Sequence, residues 1–199
     1  MPAATRKSYH HGDLSNALIA AAIELARTGG PEAIVLREAA RRVGVSPTSA
    51  YRHFANHHDL IAAVKAHAQQ ELTRAMRTEP VPTETGAGAQ AVARLHALGR
   101  GYLRFAQTES GWFRSAFAHE TPTAMSSESF RLLADALDGL VTAGVLPAAR
   151  RPGAETPVWA TIHGLAALLI DGPLSSLPEQ ARTETIAQTQ QFITQALTG

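Results

Sequence analysis

Apolar residues recur along most of the chain at three- and four-residue spacing, the rhythm of helices that bury one face. The first such stretch spans Asp13 to Thr28, where Leu14, Leu18, Ile19, Ala22, Ile23, Leu25 and Ala26 form a wide stripe. Gly29, Gly30 and Pro31 then predict its end. Leu36 to Val43 follows as a short helix, with Leu36, Ala39, Ala40 and Val43 on one face and Arg37, Glu38, Arg41 and Arg42 on the other. Gly44 stands where that helix must stop, because glycine enters a left-handed C-terminal conformation without steric cost. Ser46 offers a side-chain oxygen as N-cap, and Pro47 suits a first helical position whose N–H would have no partner. A second short helix, Pro47 to about Phe54, is polar on its outer side: Thr48, Ser49, Tyr51, Arg52 and His53. Ala40 is small enough for the two helices to cross closely. This is helix-turn-helix grammar, in which the second helix enters a DNA major groove; an ordinary surface helical hairpin is the plainer alternative.

A long helix is predicted from His57 to Arg77, kept apolar on one face by Leu60, Ile61, Val64, Ala68, Leu72 and Met76. It is long enough to touch the helix-turn-helix head at one end and a second unit at the other. Residues 78–88, rich in Pro, Gly and Thr, mark the clearest break. Further helices are expected over Ala89–Thr108, Gly111–His119, Ser127–Val145, Val158–Asp171 and Glu179–Leu197, with a loop from Pro147 to Pro157. The pattern predicts an all-α fold. An N-terminal three-helix head (residues 1–58, including a flexible arm) joins through the long helix to a C-terminal helical body (residues 59–199).

Composition changes this picture little, and charge changes it more. The 45% apolar and 18% charged content is that of an ordered globular chain. Cysteine is absent, which excludes disulfides and thiolate chemistry and suits a reducing cytoplasm. The start, MPAATRKSYHHGDL, has no apolar run behind its basic residues, so no signal peptide is expected. The apolar run Leu165–Ile170 is too short to span a bilayer. Net charge is +1, but residues 1–77 carry ten Lys/Arg against six Asp/Glu, and residues 78–199 carry eight against eleven. A basic head on an acidic body fits a polyanion partner.

Candidate chemistry follows. In the head, Tyr51, Thr48 and Ser49 can hydrogen-bond phosphates, while Arg37, Arg41 or Arg52 can supply charge or bidentate guanine readout. Tyr51 would otherwise pack in the head. Arg6, Lys7, His10 and His11 belong to an arm that could reach DNA. One head offers few contacts, so a dimer with half-sites about one helical turn apart, ~34 Å, is expected. Its interface is expected from Ala160, Gly164 and Leu168 on one helix and Phe192, Ile193 and Leu197 on the last, with Ala167, Ile186 and Ala196 beside them. An apolar ligand pocket is expected from Tyr102, Phe105, Trp112, Phe113 and Phe117, with Trp159 and His163. His53, His57, His58 and His67 lack a completing carboxylate at metal-binding spacing, so no metal and no cofactor is expected. No nucleophile constellation or phosphate-binding glycine loop argues for an enzyme. A DNA-binding protein that takes no ligand is the remaining alternative.

Residues 9–72, with YHHGDLSNALIAAAIEL, GGPEA, LREAARRVGVSPTSAYRHF and HHDLIAAV, resemble the N-terminal domain of the TetR family of bacterial transcriptional repressors. Gly101-Tyr102 to Phe117, and above all Trp159 to Gly164, resemble the C-terminal domain of its subfamily named for a Trp-His-Gly (WHG) motif. The resemblance implies a cytoplasmic homodimer on a palindromic double-stranded operator, released by a small-molecule effector, with no membrane partner. It puts the phosphate-contacting tyrosine at Tyr51, a histidine at His53, base-facing positions at Pro47, Thr48, Ser49 and Arg52, and an arginine at Arg37. Two positions depart from the family pattern: Val35 replaces a Ser or Thr that caps, and His57 replaces a lysine, so its charge depends on protonation.

Overall fold

The helix ends follow from local chemistry. The computed structural model describes residues 11–54, 57–118 and 127–199, with backbone alone for 11–13 and 57. Among these residues there are α-helices and short 3-10 turns and no strand, as an all-α fold requires. In chain order the α-helices are α1 (His11–Gly29), α2 (Leu36–Val43), α3 (Pro47–His53), α4 (His57–Thr78), α5 (Ala87–Thr108), α6 (Ser110–Phe117), α7 (Glu128–Thr142), α8 (Glu155–Ile170) and α9 (Glu179–Thr198). No helix among the described residues is long and apolar enough to cross a membrane.

Two boundaries differ from the sequence expectation for clear reasons. Helix α8 starts at Glu155, before Pro157, because a proline in the first turn removes only an N–H that has no intrahelical acceptor. Helix α7 ends at Thr142, where Gly144 takes φ 71° and the chain turns back so that Val145 and Leu146 donate to the Leu140 carbonyl. The expected loop 147–157 holds a 3-10 turn at Ala148–Arg150.

Helices α1, α2 and α3 form the head around Leu18, Ala22, Ile34, Leu36, Ala39, Ala40, Ala50 and Phe54, all buried. Helix α4 adds Leu60 and Val64 beside this core and carries its stripe onward through Ala68, Leu72 and Met76. Helices α5 to α9 form the body, where Leu95, Leu103, Leu137, Leu140, Leu165 and Ala166 are buried. The buried apolar residues of head and body make one continuous cluster. Gly101 explains the tight crossing of α4 and α5: a Cβ there would lie 2.6 Å from the Ala75 carbonyl oxygen and 2.8 Å from Met76 Cα.

Candidate nucleic-acid interface and ligand chamber

The turn between α2 and α3 is built as the sequence predicts. Gly44 adopts φ 76°, and its N–H returns to the last turn of α2. Ser46 Oγ accepts from the Ser49 N–H at 3.2 Å, with Pro47 next in the chain. Ala40 and Ala50 are both fully buried, which lets the helices meet closely. Phe54 is buried and anchors the end of α3, so this helix has its outer side free. Pro47, Thr48, Tyr51 and Arg52 are exposed there, and Ser49 and His53 are half-buried. Tyr51 is 59% exposed, which turns its phenol away from the core.

The arginines of α2 divide into two kinds. Arg41 makes a bidentate pair with Glu38 at 2.9 and 2.7 Å, and Arg42 Nε lies 3.7 Å from the same carboxylate. The Arg41 hydrogen bonds pull the Glu38 carboxyl below its ordinary range. Arg37 and Arg52 are exposed and make no ion pair among the described residues. Val35 is 42% exposed at the N-cap of α2 and provides no side-chain hydrogen bond there. Arg6, Lys7 and His10 lie outside the described residues, as do the side chains of His11 and His57.

A cavity of about 50 Å³ lies in the body between α4, α5, α7, α8 and α9. Tyr102 and Trp159 line it, as expected from the sequence. Phe113, Phe117 and His163, also expected there, do not line it but stand behind it in a ring stack: Phe113 lies parallel-offset to His163 at 5.5 Å and Phe117 meets it edge-on at 4.8 Å. The Trp159 indole N–H donates to the Tyr102 phenol oxygen at 3.3 Å, and that oxygen shares a second hydrogen bond of 2.7 Å with His163 Nδ1. Burial lowers the pKa of His163, and burial also raises that of Tyr102. Both groups are therefore neutral near pH 7.

Phe105 and Trp112, also expected in the pocket, do not line this chamber. They face an outer groove shared with α1 and α4. Trp112 Nε1 donates to the Ile23 carbonyl at 2.8 Å, and the Arg27 guanidinium lies over its ring at 5.1 Å. Aromatic identity marked the cluster, while the face of α6 on which each ring falls decided its neighbour. The chamber wall also contains Met76, Leu95, Phe130 and Leu133, which the sequence marks only as apolar helix positions, and His96 and Gln190, which the apolar pattern does not mark. The apolar periodicity of the first four gives a buried face but no signal of a void behind it.

Helix α6 joins the two regions. Gly111 lies against the end of α1, where a Cβ would be 2.2 Å from the Arg27 oxygen and 2.3 Å from the Ala26 oxygen. Arg27 clamps Glu109 through two bonds of 2.7 Å. From α4, Gln69 donates to the Ala116 carbonyl at 3.2 Å and Lys65 to the Ala118 carbonyl at 3.3 Å. Arg114 holds Asp171 at the end of α8 at 2.8 and 2.6 Å. The opposite side of α6 supplies the Phe113 and Phe117 rings.

On the outside of the body, Ala160, Ala167 and Leu168 of α8 and Phe192 and Ala196 of α9 are exposed, with Leu168 at 43% and Phe192 at 61%. Gly164 has open space at its Cα. Ile193 and Leu197, expected on the same surface, are turned inward into the subunit's own core. Helical phase separates them from Phe192: one residue along a helix is a rotation of about 100°. No group of three or more metal-ligating side chains occurs among the described residues.

Residues 18–64 match the family described as bacterial regulatory proteins, tetR family. Residues 95–190 match the family described as tetracyclin repressor-like, C-terminal domain. No curated protein matches the chain. Among solved structures, a protein with unknown function from Rhodococcus sp. RHA1 is similar at 24% identity, covering 98% of this chain and 100% of that one with a TM-score of 0.76. A tetR-family transcriptional regulator from Streptomyces coelicolor is similar at 21% identity, covering 92% of this chain and 79% of that one with a TM-score of 0.59. At these identities the two structures share the fold.

Proposed function

We propose, from the premise that this chain belongs to the TetR family and is a DNA-binding transcriptional regulator rather than an enzyme, that it acts in the cytoplasm as a homodimeric repressor. A small apolar or amphipathic effector in the body releases it from a palindromic operator. The contacts assigned to DNA are Arg37, Pro47, Thr48, Ser49, Tyr51, Arg52, His53 and His57. Tyr51, Thr48 and Ser49 position the head on phosphates, and Arg37 and Arg52 supply free charge. The subunits pair through Ala160, Gly164, Leu168 and Phe192; Ile193 and Leu197 are left to the subunit core. The WHG-type assignment rests on Trp159, His163 and Gly164.

One observation carries the ligand-controlled reading. Helix α4 is a single unbroken rod, packed into the head at Leu60 and Val64 and reaching the chamber wall at Met76. Its length of about 33 Å spans the whole distance between the two functions. The chamber is too small for most organic effectors as it stands, so a bound molecule must push its wall outward. Movement at Met76 tilts α4 and changes the separation of the paired heads. The effector achieves this only through unequal affinity for the two states.

The test is an operator found by in vitro selection, titrated with the protein in the presence and absence of candidate compounds. An effector is expected to weaken operator binding by roughly 5- to 150-fold at saturation. Compounds that fill the chamber and leave operator affinity unchanged would favour the ligand-independent regulator. Phe192→Asp is expected to yield monomers in sedimentation and to remove tight operator binding; a variant that stays dimeric overturns the assigned interface.

A further inference from the structure

We propose that the chamber selects uncharged, nearly hydrocarbon ligands carrying at most one hydrogen-bond donor, such as small arenes, and rejects organic acids and amines. The proposal rests on the reading of this chamber as the effector site. Its basis is the absence of charged side chains from the wall and the commitment of most of its polar groups to one another.

The Tyr102 hydroxyl is engaged twice, accepting from Trp159 and sharing a hydrogen bond with His163 Nδ1. The Trp159 N–H is consumed by the same contact. Thr194 Oγ1 donates to the Gln190 carbonyl at 3.1 Å, so at its 2.8 Å contact with His96 Nε2 it must accept, and Nε2 carries the hydrogen. The Gln190 amide donates to the His96 carbonyl at 2.7 Å. Ser129 Oγ is engaged with Ser127 Oγ at 2.9 Å. These bonds commit most of the wall's donors; a second N–H and the side-chain oxygen of Gln190 and His96 Nδ1, all uncharged, have no further bond among the described residues. The rest of the wall is hydrocarbon or thioether, with Met76, Leu95, Leu133, Val158, Ile162 and Ile193 prominent, and no Lys, Arg, Asp or Glu lines it.

An anion would thus lose its water and meet no cationic group and few donors. An ammonium would meet no carboxylate. Protonation of His96 could in principle supply a donor, but burial, with the positive charge of Arg100 adding to it, lowers its pKa. The ligand is also small: a cavity of ~150 Å³ accommodates benzene, whereas the room here is about 50 Å³. A monocyclic arene already demands that the wall yield, and Met76, with three rotatable bonds, is suited to do so.

Calorimetric titration of the full chain with toluene, phenol, benzoate and benzylamine at pH 7.5 tests this. Gly99→Leu serves as the filled-chamber control, because a Cβ at Gly99 already lies 3.2 Å from Gln190 Nε2 and 3.5 Å from Ile162 Cδ1. Leu133→Phe is a second, milder filler should the first fail to fold. Toluene and phenol are expected to bind, and to lose binding in the filled variant. Benzoate and benzylamine are expected to bind on the order of a hundredfold more weakly. Binding of either ion within tenfold of toluene, or no arene binding up to its solubility limit, overturns the proposal. Toluene that binds in the chamber and leaves operator affinity unchanged supports the proposal and defeats the effector reading instead.

Discussion

The outer face of α2 and α3 and the wall of the body chamber use polar side chains in opposite ways. On the face, Arg37 and Arg52 are exposed without an ion-pair partner among the described residues, and Thr48 and Tyr51 also face outward. In the wall, Tyr102, Trp159, His96 and Ser129 bond each other or their neighbours. Water explains the difference. An exposed donor stays hydrated until a phosphate replaces its water, and the exchange releases counterions. A donor left open in a dry chamber would carry its desolvation cost permanently. A surface facing water can keep its polar groups open, whereas a dry wall has to pair most of them.

The largest expected effect comes from breaking the joint between these regions. Gly111→Val should destabilise the protein by about 2–4 kcal/mol in urea unfolding, because the new side chain meets backbone of α1 rather than a movable side chain. Gly139→Ala is the control: nothing lies within 4 Å of its added Cβ, and a helical glycine replaced by alanine should gain up to ~1 kcal/mol.

Next in size is the face itself. Arg37→Ala and Arg52→Ala should each cost roughly 1–3 kcal/mol of operator binding and lower the salt slope by about one. Arg41→Ala should cost much less, since Glu38 already holds that guanidinium. Equal losses at all three positions in filter binding would erase the distinction between free and committed arginines.

The smallest effect concerns the chamber. His96 and His163 both have pKa values lowered by burial. Each therefore contributes stability that is complete above the unfolded histidine value, near 6.5, and is lost as pH falls below it toward the folded value. Melting temperature should drop between about pH 7 and pH 5, and His163→Asn should flatten part of that drop. A variant with the wild-type pH profile would remove His163 from the account.

Much of the head was legible because its determinants are local. Gly44, Ser46 and Pro47 act on their own neighbours, so the turn and the cap follow from a few adjacent residues. Ala40 at the crossing also sits at readable helical spacing, whereas Ala50 beside it was not marked by the pattern. The body was legible as helices but less so as a site. Trp112 and Phe113 are adjacent in sequence, yet one bonds α1 and the other stacks on His163. Which neighbour an apolar face meets depends on contacts distant in sequence, and periodicity carries no information about them. Ile193 and Phe192 teach the same lesson at the outer surface. The cavity was hidden for a further reason: Leu133 reads simply as an inward-facing apolar residue, and a void appears only after the helices are packed.

The continuous cluster of buried residues through head and body constrains how this chain can be recombined with others. A graft cut at residue 58 would keep the recognition helix but strip α1 of Trp112, of the Gly111 contact and of the Glu109 clamp. Chimeras that exchange specificity should therefore carry α1 and α6 together as a matched pair, or restrict the swap to the outer side chains of α2 and α3. Crossover points placed in the 79–86 segment alone would leave each parental α1 facing a foreign α6.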